Sequence, residues 1–461
     1  MLISMDGSLK AMKINKKILF LLSVIIFLLS IIFAYSFYNS SGYVYIIFSV
    51  LLLTLSLSVS VFISKSYLLH STMFSFHFFV IPQLLAVLIP LAFGDVPYYR
   101  FFGDDSEAML YFSKYFLILS FSLLIISVFH YFGKKRRLPS IFIKAFEVDV
   151  PRFVCFLPLM LSILAFIWVM VTSGGIRIMF DNIGHRALFY KDLGVFLMII
   201  PLGYLSSILF LLKGLNKLSF SIFIIVTIFL SLVGERGAVL FNGLLPLLLV
   251  HQVLYRKKSN RLIIISLISF FILYLLIGTI RYVSMSNNET ESEVVLTKDD
   301  IVEVFSKTEH QVNAAATIKL TDDKGLFLGK PLINIIYAWV PRSFWAEKPV
   351  IAESAIIGMK LKNTNDPQGA GLPPGIISYI YANFHFIGLL LLLPIIGYMC
   401  GVVESTFVNK YNFLSLAFYS QTVSSYIYVL STEVQVKFIF SLLFIFSLYV
   451  ISVILTSRLF K

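Results

Sequence analysis

The first candidate for chemistry is the segment Gly234-Glu-Arg-Gly237, which stands between two apolar runs. A buried arginine without a partner is costly, so a guanidinium in these surroundings needs an anion or water nearby. Glu235 beside it is one such partner, and an exposed turn is another solution. A third possibility is that Arg236 binds an anionic substrate group near a membrane surface. Arg236 would suit a phosphate because its fork donates two parallel hydrogen bonds, and the flanking glycines would let the backbone approach closely.

Further candidate residues lie in two other polar segments, the loop 173–192 and the long interval 281–372. One loop opens with Ser173-Gly-Gly175, and the run from Trp339 to Pro349 packs two tryptophans, an arginine and a lysine around two prolines. Flexible linkers do not have that composition. The predicted catalytic residues are Arg186 and Arg342 from these segments, together with Glu235 and Arg236. The predicted substrate-binding residues are Arg177, Arg281, His310, Trp339, Trp345 and Lys348. Each also has an ordinary explanation as a solvated loop charge, a surface histidine, a charge beside lipid headgroups or an interfacial tryptophan.

Composition predicts the scaffold that must position these residues. Hydrophobic residues make up 59% of the chain and charged residues 13%, against about 25% charged residues in a soluble domain. The apolar runs are continuous and do not alternate, which excludes a β-barrel and favours an all-α polytopic membrane protein. The net charge of +13 is concentrated at the ends of the apolar runs. It therefore indicates membrane topology and contact with membrane lipids, and no nucleic acid.

About twelve transmembrane helices are predicted, within one integral membrane domain that covers 1–461. Basic runs such as Lys134-Lys-Arg-Arg137 place both termini on the cytoplasmic side. The predicted spans are about 18–37, 43–63, 69–93, 115–132, 153–172, 194–212, 218–233, 238–255, 262–280, 384–403, 413–430 and 438–455. A single large outer loop, 281–372, separates the ninth span from the tenth. This topology brings Arg186, Arg236, Arg281 and Arg342 to the same outer face.

Motifs for metals and cofactors are missing from the sequence. There is no His-Glu-x-x-His segment and no cysteine and histidine cluster, so neither a metal nor a cofactor is predicted. Gly325-Leu-Phe-Leu-Gly-Lys-Pro331 is one residue too short for a phosphate loop and has proline in place of its serine or threonine. Cys155 and Cys400 are isolated within apolar runs, which excludes a disulfide framework.

Several of these segments resemble the Wzy family of O-antigen or oligosaccharide repeat-unit polymerases. Gly234-Glu-Arg-Gly-Ala238 is similar to that family's Arg-Gly segment, and 335–349 is similar to its Pro-Arg…Trp…Lys-Pro segment. Residues 371–384 resemble the stretch that re-enters the membrane after the large outer loop. Ser173-Gly-Gly175 with Arg186 fits the smaller loop.

Two positions depart from the pattern of that family. Ser378 stands where the family often has glutamate, and His385 stands where glycine often follows the Tyr-x-Asn-Phe segment. The resemblance therefore predicts no acidic role at position 378.

The resemblance implies a GT-C-like membrane glycosyltransferase in the bacterial inner membrane. Such an enzyme would join undecaprenyl-diphosphate-linked oligosaccharides at the periplasmic face, usually with a polysaccharide chain-length regulator as partner. Arg186, Arg236 and Arg342 would hold the diphosphate, and fixed cations in a dry site stabilise a departing diphosphate strongly. A carboxylate or histidine would accept the proton of the attacking hydroxyl. The candidates for that base are Glu235, His310, Glu347 and Glu353.

Three other functions remain open from the sequence. An O-antigen ligase would use the same donor with a lipid A-core acceptor. A flippase or transporter of the lipid-linked oligosaccharide would need cationic groups within the spans, which are nearly free of charge. A non-enzymatic scaffold would tolerate Arg236→Ala without losing long polysaccharide chains.

Overall fold

The computed structural model describes eight continuous ranges of the chain and some further positions. These residues are 41–64, 101–137, 150–181, 193–255, 309–330, 353–365, 371–407 and 415–423, with parts of 71–87 and the positions 189, 190, 337, 345, 347, 349, 350, 447, 450 and 451. Every regular element among them is a helix. The prediction of an all-helical protein is confirmed for this part of the chain.

Twelve α-helices are given labels in chain order. They are α1 (Ser41–Ser64), α2 (Asp105–Gly133), α3 (Arg152–Thr172), α4 (Ile176–Asp181), α5 (Gly194–Ile199), α6 (Gly203–Leu212), α7 (Asn216–Leu232), α8 (Arg236–Ala238), α9 (Leu245–Tyr255), α10 (Glu309–Lys324), α11 (Glu353–Lys362) and α12 (Gly375–Phe407). A 3-10 turn, Ile200–Leu202, joins α5 to α6, and a π-helix, Val239–Leu244, joins α8 to α9.

Four of these helices are long and apolar enough to cross a membrane, namely α1 from Val44 onward, α2, α3 and α12. Their outward faces carry large apolar side chains, such as Val171 and Ile387, which are 67% and 68% exposed. Water would penalise such a surface, whereas lipid tails would not. The chain is therefore an α-helical membrane protein. The predicted count of about twelve spans extends over residues outside the described ranges.

The predicted hairpin at Glu235 is present. Helix α7 ends at Leu232, a turn follows, and the chain returns through α8, the π-helix and α9. Gly234 has φ +77 in this turn, a value that suits glycine. At the other end of the hairpin the Tyr255 hydroxyl donates to Asn216 Oδ1 over 3.0 Å, which closes the antiparallel pair.

Other boundaries differ from the predicted spans for identifiable reasons. Helix α2 begins at Asp105 rather than at 115, because Asp104 accepts a hydrogen bond from the Glu107 N–H and caps the helix within the polar segment. Its 29 residues make it about 43 Å long, more than the ~30 Å apolar core of a bilayer. The predicted span 194–212 is divided because Pro201 lies in the 3-10 turn between α5 and α6.

Glycines allow α2 and α12 to pack with their backbones almost in contact. A Cβ on Gly397 would lie 2.5 Å from Ile126 O, and a Cβ on Gly401 would overlap His130 O. Gly397 and Gly401 form a Gly-x-x-x-Gly pair, the spacing that brings membrane helices close together. Gly397 contacts Ile126 and Gly401 contacts His130. Because both residue numbers increase together, α2 and α12 run in the same direction.

Replacing Gly401 by leucine should separate these two helices. The added side chain meets main-chain atoms of α2, which cannot move aside as a flexible side chain does. We expect a destabilisation of at least about 1–3 kcal/mol, the usual cost of overpacking a core. Thermal unfolding in detergent measures it. Gly237→Ala, where the added Cβ meets open space, serves as the control, and equal melting of wild type and Gly401→Leu would contradict the close packing.

Two helices of the interval 281–372 pack onto this bundle. Helix α10 buries Val312, Ala315 and Ile318 in the same apolar core as α2 and α12. Helix α11 packs beside α10 through Ile357, which shares a small core with Leu320. The large interval between the predicted spans is therefore partly helical, and α10 lies at the N-terminal ends of α2 and α12.

Candidate functional site

A polar group, here called the docking cluster, forms where α10 meets α2 and α12. It consists of Lys114, Asp322, Tyr381 and His385. Lys114 Nζ forms an ion pair with Asp322 Oδ2, and the Tyr381 hydroxyl donates to Asp322 Oδ1 over 3.3 Å. The Lys114 ammonium also lies 5.6 Å from the centre of the Tyr381 ring. Three helices thus place a cation, a carboxylate, a phenol and an imidazole together.

His385 joins the docking cluster through a strained backbone. Its Nε2 lies 2.7 Å from the Tyr381 hydroxyl, and the two ring centres are 4.5 Å apart. Its φ of 55° and ψ of −151° interrupt α12. Only glycine adopts this region freely, and the strain costs any other residue about 1–3 kcal/mol. Strain that persists beside a polar cluster is typical of functional sites.

A second ion pair orients α10 on α2. Lys319 Nζ lies 2.7 Å from Glu107 Oε2 and donates to Phe101 O over 3.3 Å. Glu107 also accepts a hydrogen bond of 2.6 Å from the Gly103 N–H. Both partners of the ion pair are partly exposed, so it contributes only about 0.2–1 kcal/mol. Burial of the apolar face of α10 supplies most of the docking energy, and the ion pairs set its register.

The loop 325–330 after α10 is bonded directly to α12. The Phe327 N–H donates to Ala382 O over 3.0 Å, and the Gly329 N–H donates to Asn383 Oδ1 over 2.9 Å. Asn383 is itself oriented by a 2.8 Å bond from its side-chain amide to Tyr379 O. This loop therefore sets the position of the α12 turn that carries Tyr381, immediately before the break at His385.

The docking cluster is suited to moving a proton. The phenolic proton of Tyr381 has two acceptors, Asp322 and a neutral His385. When His385 is protonated, its Nε2–H can donate to the phenolic oxygen, whose own proton then goes to Asp322. The carboxylate stabilises the imidazolium through this chain, as in catalytic groups where a carboxylate orients a histidine. His385 Nδ1 makes no hydrogen bond to any residue within the described ranges.

A second polar group, here called the glutamate cluster, lies at the C-terminal ends of α2 and α12. Glu404 is 5% exposed. Its Oε2 accepts bonds of 2.9 Å from Ser71 Oγ, 3.1 Å from the Thr72 N–H and 2.9 Å from His130 Nε2. Its Oε1 lies 2.6 Å from Lys134 Nζ. Because so many donors satisfy this carboxylate, it ties three chain segments together and is not poised to bind a substrate.

Of the predicted catalytic residues, Glu235 and the backbone of Arg236 are described. Glu235 is half-buried in the turn before α8, where its N–H donates to Leu230 O over 2.8 Å. Arg236 begins α8, and the π-helix begins three residues later, at Val239. π-Helical turns occur frequently at functional sites. The side chain of Arg236 lies outside the described part of the structure.

The other predicted site residues are divided between described and undescribed regions. Arg177 is exposed on α4, and Trp345 is 38% exposed and packs edge-on against Tyr337 at 5.3 Å. Glu347 is exposed. The residues outside the described ranges are Arg186, Arg281, Trp339, Arg342 and Lys348, and the side chain of Glu353. The predicted convergence of four arginines thus remains a prediction.

His310, a candidate substrate contact, lies half-buried near the start of α10, with its Nδ1 shielded from solvent. Its Nδ1 has no hydrogen-bond partner among the described residues. Burial lowers the pKa of the imidazole from 6.5 to about 4. A ring held neutral and enclosed in this way is more suited to packing than to substrate contact.

This depressed pKa predicts that α10 loosens in acid. Above pH 6.5 the imidazole is neutral in the docked and the undocked state, and the docking stability is at its full value. Between pH 6.5 and about 4 only the undocked ring takes a proton, so stability falls as the pH falls. We expect a loss of about 1–3 kcal/mol across this range, measured by amide exchange in 309–324. His310→Phe should flatten the profile, and an unchanged profile would contradict the burial of a neutral ring.

Sequence reasoning missed the residues that the two clusters bring together. Lys114 and Asp322 are 208 residues apart, and Asp322 and Tyr381 are 59 apart, so no local motif marks them. A signal did exist for the i and i+4 pair Tyr381 and His385 on one helix face. The sequence also contained a signal for Glu404, because a carboxylate at the edge of an apolar run needs a partner.

Comparisons of this chain with family models, with curated proteins and with solved structures gave no match. Its function is therefore argued from its own residues. Within the described ranges, no group of three or more histidines, cysteines or carboxylates is arranged to hold a metal ion.

Proposed function

We propose that this protein is an oligosaccharide repeat-unit polymerase of the bacterial inner membrane. It would join undecaprenyl-diphosphate-linked units at the periplasmic face, within a GT-C-like scaffold of about twelve spans whose termini are cytoplasmic. The observation that carries the proposal is the docking cluster, a proton-transfer group formed where the segment between two spans meets the ends of α2 and α12. The resemblance to Wzy polymerases in 234–238, 335–349 and 371–384 supports the same activity.

In the proposed reaction a hydroxyl of the acceptor sugar attacks the anomeric carbon of the donor. The bond from that carbon to the diphosphate oxygen breaks, and the diphosphate leaves with the electron pair. His385 accepts the hydroxyl proton, and Asp322 stabilises the resulting imidazolium through Tyr381. Arg186, Arg236 and Arg342 are the expected cations for the leaving diphosphate.

The position of His385 adds to this support. It stands where the resembling polymerases often have glycine, and its φ of 55° is a conformation that glycine adopts freely. The same backbone bend is therefore available to this chain and to the polymerases that it resembles. In this chain the residue at the bend is His385. Its imidazole would serve as the base in place of an acidic residue at 378.

A transporter is less well supported. Such a protein needs charged groups that line a path through the spans. The buried charge of the glutamate cluster is instead neutralised by Lys134 at one end of the bundle. The ligase alternative uses the same donor, and its acceptor distinguishes it.

The deciding experiment gives the purified protein in nanodiscs synthetic lipid-linked repeat units and sizes the products on a gel. A ladder of lengthening chains is expected for the wild type, and Arg236→Ala should abolish it. Arg152→Ala, at the exposed start of α3, is the matched control and should retain the ladder. Transfer only to a lipid A-core acceptor would establish the ligase instead, and movement of units across the bilayer without bond formation would refute both transferases.

A further inference from the structure

Three lysines of the interval 281–372 lie in or beside the loop 325–330. Lys360 Nζ of α11 lies 4.0 Å from the centre of the Phe327 ring. Lys324 Nζ, at the end of α10, donates to Lys360 O over 3.5 Å. The Lys330 N–H donates to Phe327 O over 3.2 Å, so this residue closes the same loop. Lys324, Lys330 and Lys360 are here called the lysine triad.

The lysine triad differs from the neighbouring lysines in its partners. Lys114 and Lys319 of the same region each form an ion pair with a carboxylate. None of the ion pairs formed within the described ranges involves Lys324, Lys330 or Lys360. Burial and the like charges of Lys324 and Lys330 lower the pKa of the Lys360 ammonium. Three cations are thus held close together at a cost that a bound anion would offset.

We propose that the lysine triad binds a diphosphate group. Such a group carries several negative charges within a few ångströms and accepts hydrogen bonds from separate ammonium groups. The exposed positions of the three lysines leave them accessible to such a ligand. A single carboxylate would satisfy only part of this charge.

The location of the triad indicates which diphosphate it holds. The loop 325–330 is bonded to Ala382 and Asn383, the residues that directly follow Tyr381 of the docking cluster. Joining two lipid-linked units brings two diphosphates to the same face, one on the donor and one on the acceptor. The triad holds the acceptor's diphosphate, an assignment that rests on the proposed function, while the expected arginines hold the donor's.

Calorimetric titration of the full-length protein in detergent tests the site with two probes, inorganic diphosphate and farnesyl diphosphate. A variant with Lys324, Lys330 and Lys360 all changed to glutamine should bind both probes at least about 100-fold more weakly. The matched control changes Lys135, Lys213 and Lys217 to glutamine, and should bind within about twofold of the wild type. Arginine at the three triad positions should preserve binding, which separates loss of charge from loss of fold.

The two probes also distinguish the sources of the diphosphate. Tighter binding of farnesyl diphosphate indicates a lipid-borne group, and equal binding indicates recognition of the free headgroup chemistry. Equal losses in the triad variant and in the control variant would overturn the site, as would triad-dependent binding to phosphatidylglycerol vesicles as strong as to diphosphate. If the triad binds diphosphate but no polymer forms from lipid-linked units, the site stands and the polymerase function fails.

Discussion

Replacement of Glu404 by alanine should produce the largest loss of stability among single changes in the described helices. The carboxylate is 5% exposed, and its removal leaves His130 and Lys134 without the group that they contact at 2.9 Å and 2.6 Å. Ser71, Thr72 and His130 also lose their acceptor, and each buried donor left without a partner costs about 1–3 kcal/mol. Thermal unfolding in detergent should show this loss as a large fall in the melting temperature.

Two further variants test the origin of this effect. Asp105→Asn removes an exposed carboxylate in the first turn of α2, and we expect a change of less than about 1 kcal/mol. A triple variant, Glu404→Met with His130→Leu and Lys134→Met, should recover much of the stability, because apolar groups can replace a buried ionic cluster. If Glu404→Ala melts with the wild type, the glutamate cluster does not hold these helices together.

Replacement of His385 by glycine should move stability and activity in opposite directions. Glycine relieves the strain at φ 55° and ψ −151°, so the melting temperature should hold or rise, by up to the equivalent of about 1–3 kcal/mol. The imidazole that accepts the proton is lost, and polymerisation should slow by about 10²–10⁴-fold. Most inactivating substitutions destabilise a protein, and this one should not.

Matched variants identify the cause of the slower reaction. Asn363→Gly also changes a non-glycine residue at φ 52°, but at the end of α11 and outside the docking cluster, so activity should be unchanged. Tyr381→Phe removes the hydroxyl that connects His385 to Asp322, so the carboxylate no longer stabilises the imidazolium and polymerisation should slow although the imidazole is still present. Full activity in His385→Gly would show that the proton goes elsewhere.

Much of the scaffold follows from the sequence. Continuous apolar runs predicted helices at 43–63, 153–172 and 218–233, and the structure contains them within a few residues. The hairpin turn at Glu235 was also predicted, because two short apolar runs bounded by basic residues must return to the same side. Such features are local, since the length and hydrophobicity of a segment suffice to specify them.

The ends of the helices depended on interactions that hydropathy does not report. Helix α2 starts ten residues before its predicted span, at the cap of Asp104, and α12 starts at Gly375 rather than at 384. Residues before the predicted apolar run continue both helices towards their N-termini. Packing against α10 then buries the faces that these extensions present.

By itself the sequence determined the class of this protein and the course of its apolar helices, because burial in lipid is specified by composition within each segment. Only the tertiary structure decided which polar residues meet. Lys114, Asp322 and Tyr381 lie on three helices, and His130 and Glu404 are 274 residues apart. Their contacts depend on the parallel packing of α2 and α12 through Gly397 and Gly401 and on the docking of α10. No single segment specifies that arrangement, because each of its contacts joins chain segments that are brought together only by folding.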